Sequence, residues 1–120
     1  MDFETVIWDY ITRHALASMG ITEEIQGDSN EDFGYSHKDY FASVLFGILN
    51  GDNDNLIVAK ILPQILLSGF IIKKEDLLEM VRRARDKCKM ELFVLGIAVD
   101  LLNHGERPDI VLLKVKQMLV

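Results

Sequence analysis

The residues best equipped for chemistry in this chain are a short basic run, one cysteine and three histidines. The run is Arg82-Arg83-x-Arg85-x-Lys87-x-Lys89, with Lys73 and Lys74 upstream. Guanidinium groups present forked donors that match carboxylates or phosphates. Arg82, Arg83, Arg85 and Lys89 are therefore the candidate partner-binding residues. An acidic protein suits them better than nucleic acid. Glu75, Asp76 and Glu79 fill the first half of the same helix, where a helix-turn-helix reader makes its base contacts, and they would repel phosphates. No aromatic stacking platform accompanies the run.

Cys88 stands among Arg85, Lys87 and Lys89, which would lower a thiol pKa and favour reactivity. Against that, cysteine is among the most commonly buried residues, and no histidine lies near in sequence to act as its base. A buried thiol is the expectation. His14, His37 and His104 fall in different elements, so a metal site would need at least two of them to converge with a carboxylate such as Asp100. His14 and His104 lie near helix C-termini, where an imidazolium meets the negative end of the dipole. Asp28, Asn30, Asp32 and Asp39 follow calcium-loop spacing, but Phe33 takes the glycine place and the last ligand is aspartate instead of glutamate. A solvated loop is the reading taken. There is no phosphate-binding glycine loop, G-x-S-x-G, H-E-x-x-H or C-x-x-C, so neither an enzyme nor a cofactor nor a metal is expected.

The elements that position these residues read as helices. Residues 91–103, ELFVLGIAVDLLN, are apolar on most sides, as suits a helix packed against several others. Lys89, Gly96, Asp100 and Asn103 share one narrow stripe of it, which predicts that Asp100 is exposed. Around this central helix the pattern predicts helices over about 3–19, 36–50, 56–68, 74–87 and 109–119. Asp2 caps the first, and a Ser36–Asp39 box opens the second. Pro63 lies too deep for a first-turn proline, which predicts a kink or break near 59–62. Pro108 stands at or near the start of the last helix, where Ile110, Leu113, Val115 or Lys116, and Leu119 are candidates for the inner face. Glu79 is placed to pair with Arg82 and Arg83 along its own helix. The fold class is all-α, a compact bundle of about six helices. Its helical hairpins end in Gly69 and Gly105, an echo of the repeat spacing of solenoids without their consensus positions.

A chain of 120 residues with 49% hydrophobic and 27% charged side chains fits one helical domain with its own core, excluding global disorder. Residues 21–35, with two glycines and five carboxylates, read as an acidic loop. A single cysteine points to a reducing compartment. The acidic N-terminus does not resemble a secretory signal, and no apolar span reaches the ~18 residues of a membrane helix. The expectation is a cytoplasmic protein that does not enter a membrane. The net charge of −6 divides unevenly. Residues 1–54 carry eleven acidic and two basic side chains, a balance of −9, and residues 55–120 carry eleven basic and eight acidic ones, a balance of +3. Two such halves attract each other within one fold or meet a partner separately.

The function these features favour is a small non-enzymatic protein-binding or regulatory domain, with a helical apolar face for anchoring and charge for steering. One alternative is an acidic inhibitor or immunity-type protein gripping a basic partner through Glu23, Glu24, Asp28, Glu31 and Asp32. Another is a nucleic-acid-binding regulator that uses the basic helix 74–89. The partner is expected to be another protein. A homodimer through the last helix is a further expectation.

Overall fold

Helices α1 (Phe3–Ser18), α2 (His37–Leu49), α3 (Asp54–Leu67), α4 (Lys74–Lys87), α5 (Lys89–Asn103) and α6 (Pro108–Met118) account for the regular structure of the described residues. The structure is a computed structural model that describes residues 2–21, 37–69 and 71–120, and no strand occurs among them. The all-α bundle that the periodicity predicts is thus the observed fold. The acidic segment beyond Ile21, its calcium-like spacing, the Ser36–Asp39 box and the ring of His37 lie outside the described residues.

Local chemistry sets most helix ends. Asp2 accepts from the amide of Glu4 at 3.1 Å, and Asn53 accepts from the amide of Leu56 at 2.8 Å, which satisfies one orphan donor in each first turn. Gly69 and Gly105 follow α3 and α5 with φ of +89° and +87°, a left-handed conformation that side chains disfavour. α4 and α5 have no loop between them. Cys88 alone separates the two, its N–H bonding Ala84 O at 2.9 Å and its carbonyl accepting from Leu92 N at 2.9 Å.

The core forms where the inner faces of all six helices meet. Ile7, Ile11 and Leu16 of α1, Tyr40, Phe41 and Val44 of α2, and Ile57 and Ile65 of α3 are fully buried. Leu77 and Val81 of α4, Val94 and Ala98 of α5, and Val111 and Val115 of α6 complete the set. Each such Val, Leu, Ile or Phe contributes roughly 1.5–3 kcal/mol of apolar burial. Thr12 is buried among them and donates to the carbonyl of Trp8 at 2.6 Å, so its hydroxyl carries no unpaired cost. α5 packs against α1, α2, α4 and α6. It shares that position with α1, α2 and α4, each of which also packs against four helices.

Three local expectations need correction. Pro63 does not break α3, which runs from Asp54 to Leu67 as one helix. Pro63 and Ala59, whose carbonyl loses its partner to the proline, are both exposed, so the proline falls on the solvent side of α3. α6 buries Val111, Leu112, Val115 and Leu119, whereas Leu113 is exposed. Four successive apolar residues, Ile110 to Leu113, leave the inner face undefined by periodicity alone. Finally, α5 begins at Lys89, and its outward arc is wider than the polar stripe, as described next.

Candidate functional site

The basic end of α4 lies beside the start of α3 and the end of α1. Arg85 donates from Nε to the Asp54 carboxylate and from Nη2 to the backbone carbonyl of Asp52. Its fork therefore grips the turn that opens α3. Arg82 approaches the second oxygen of Asp54 at 3.9 Å and is otherwise open to solvent. Arg83 donates to the carbonyl of Met19 at 3.0 Å, satisfying one of the free acceptors at the end of α1. None of the three pairs with Glu79. Lys89, in the first turn of α5, is exposed, and its side chain bonds no described residue. The four candidates thus share a region but divide in use: Arg83 and Arg85 hold helices together, while Arg82 and Lys89 face outward. The uneven charge of the two halves is partly matched here, because Asp52 and Asp54 of the acidic half meet Lys60, Arg82 and Arg85 of the other.

A second polar cluster joins α1 to α5. Glu91 lies on the same face as Val94, Leu95 and Ala98 and is 2% exposed. Its Oε2 accepts from Ser18 Oγ at 2.8 Å and sits 2.6 Å from His14 Nδ1. A carboxylate only accepts, so Nδ1 carries the proton and Nε2 is left toward the outside. The positive end of α5 adds to the stabilisation of the charge. Ser18 and His14 both address the same carboxylate oxygen, and the bond between them runs from Ser18 Oγ to the His14 carbonyl at 3.1 Å instead of to the ring, so they do not pair as nucleophile and base. Cys88 lies on the inner side of this cluster, fully buried, with Sγ 3.5 Å from the carbonyl of Ala15. Burial pushes its thiol up to about 12, the Glu91 charge adds to the rise, and Arg83 opposes it only in part. That is the buried thiol the residue type predicts, and the opposite of an activated one. His14 and Cys88 thus come together, but as a clasp between helices.

His104 and Asp100 stand at the far end of α5. The His104 ring lies 2.7 Å from the Asp100 carbonyl through Nδ1, in the last turn, where a donor is favoured. Asp100 is exposed, as its stripe predicts. Among the described residues no three of His, Cys, Asp and Glu are grouped to hold a metal, and no helix is long and apolar enough to cross a membrane.

The outward face of α5 is the part that sequence reasoning missed. Met90 is 57% exposed and Phe93 65% exposed, one turn apart, with Ile97 half-buried beyond them and Lys89 alongside. The signal was available in the spacing. Phe93 falls seven residues before Asp100 and four after Lys89, on the stripe those residues mark as polar. Glu91 was equally readable, as the one charge at i−3, i−4 and i−7 from the buried Val94, Leu95 and Ala98. Compared with protein-family models, with curated proteins and with solved structures, the chain has no match.

Proposed function

We propose that this chain is a non-enzymatic protein-binding domain that anchors its partner on the outer face of α5. The observation that carries this reading is a phenyl ring and a thioether exposed side by side on a helix whose opposite face is core. Aromatic and methionine side chains are enriched where interfaces bury area, and they concentrate binding energy there. Lys89 beside them, and Arg82 on the neighbouring helix, supply positive charge for an acidic partner and speed encounter more than they tighten the complex. Arg83 and Arg85 act indirectly, by fixing α4 against α1 and α3.

The test is capture from the native cell by the wild type, by M90E/F93E and by K89E, each first shown to be folded by circular dichroism. A partner held by the wild type, lost from M90E/F93E and weakened by K89E is the expected result. A partner that M90E/F93E retains removes the α5 face from the account. Absence of any saturable partner removes the protein-binding reading itself.

A further inference from the structure

A cleft of about 270 Å³ lies along the α2–α3 hairpin, lined by none of the α5 residues proposed above to anchor a partner. Its apolar floor is made by Phe46, Ile57 and Ile61. The wall at Phe46 is fixed from behind, because the Trp8 ring meets it edge-on at 5.3 Å and 83°. Its rim carries two opposite charges. Lys60 Nζ and Asp52 Oδ2 lie 3.1 Å apart. The backbone of Asp52 is held on both sides, its N–H bonding Gly47 O at 3.0 Å and its carbonyl accepting from Arg85. Ser43, Asn50 and Gln64 also line the space, and each offers both a donor and an acceptor.

These features constrain the ligand. The volume lies at the lower edge of the ~300–1,000 Å³ of sites for drug-sized molecules, which favours a small ligand over a nucleotide or a flavin. A ligand with one charge would displace one member of the Lys60–Asp52 pair and leave the other facing a like charge or no charge. A ligand with a carboxylate and an ammonium on the same carbon exchanges partners with both members, so neither is left unpaired. Such a ligand also needs an apolar body to cover Phe46, Ile57 and Ile61. We propose that the cleft binds a free α-amino acid with a branched aliphatic or phenyl side chain, its carboxylate on Lys60 and its ammonium on Asp52.

The experiment is an NMR titration of the full ¹⁵N-labelled chain with L-leucine and L-phenylalanine. Each is compared with 4-methylpentanoate, which lacks the ammonium, and 3-methylbutylamine, which lacks the carboxylate. The expected result is saturable shifts among the amides of residues 43–64, with the single-charge analogues about tenfold weaker or worse. D52N and K60M are each expected to weaken the amino acid about tenfold or more with the remaining spectrum unchanged. No saturable shift by about 10 mM overturns the proposal, as does equal binding of a single-charge analogue to the wild type. The analogue comparison needs no variant, so it decides the matter even where a substitution disturbs the hairpin. Neither result touches the α5 face.

Discussion

Removing one partner from the His14–Glu91 pair should cost more than neutralising the other, and the asymmetry follows from where each group sits. The Glu91 side chain is 3% exposed and the His14 side chain 36%. In H14A the buried carboxylate loses its imidazole donor and keeps Ser18 Oγ and the positive end of α5. A hydrogen bond to a charged group is worth about 1.5–3 kcal/mol, and orphaning a buried charge outright costs about 3–5 kcal/mol. With Ser18 still bonded, about 2–3 kcal/mol is the expected loss, or roughly 10 °C in Tm for a chain of this size. E91Q removes the charge but keeps an acceptor of the same shape, and His14 turns to water. Its cost is expected near 1 kcal/mol. In the E91Q background the H14A change should cost about 0.5 kcal/mol, giving a coupling energy of about 1.5–2.5 kcal/mol. Urea unfolding of the four proteins at pH 7, followed by circular dichroism, measures all the terms. A coupling below about 0.5 kcal/mol, or an H14A protein more stable than E91Q, would refute the clasp.

Three further outcomes are expected. Native Cys88 should resist a thiol-specific reagent at pH 8 and react fully only in denaturant, a contrast read directly by absorbance. Its folded pKa is raised from 9.0 to about 12, so an unfolded chain releases this proton first as pH rises. The wild type should therefore lose stability relative to C88A between pH 9.0 and about 12 and show no such divergence below pH 9.0, as denaturant midpoints will show. Among the basic residues, R85A and R85K should both lower stability by about 1–2 kcal/mol because the two-pronged grip on Asp54 and Asp52 is lost, while R82A and K89A stay within about 0.5 kcal/mol. Equal effects at Arg82 and Arg85 would contradict the division of roles. At Gly47 a Cβ would stand 2.9 Å from Ile57 Cγ1, so G47A should destabilise by about 1 kcal/mol or more despite alanine's better helix propensity, and a raised Tm would show that Ile57 has room to move.

Much of the scaffold was readable from side-chain spacing because its signals act within a few residues. Asp2, Gly69, Gly105 and Pro108 punctuate helices through local capping, backbone conformation and a missing donor, which need no tertiary partner. Asp100 followed from its stripe-mates. What escaped depends on distant neighbours. Nothing near Arg83 or Arg85 in sequence indicates that one reaches Met19 and the other Asp52 and Asp54, whereas Glu79 lay at the right spacing and went unused. The unbroken run through Pro63 depended on which side of α3 faces water. The register of α6 was undetermined because Ile110, Val111, Leu112 and Leu113 fit an inner face equally well. Phe93 escaped for a different reason: within a strongly apolar run, an aromatic residue reads as core unless it is placed on the wheel beside the charges.

The one-residue joint at Cys88 constrains how this protein can change over evolutionary time. With no slack between α4 and α5, adding or deleting a residue there turns the whole of α5 by about 100° relative to the preceding helix. Such a turn would swing Val94 and Ala98 out of the interior and drive charged side chains in. A connection without regular structure such as 71–73 can absorb a change of length, but at Cys88 the spacing is fixed as firmly as a tooth in a gear. Homologous chains should therefore differ in length elsewhere and keep this stretch ungapped.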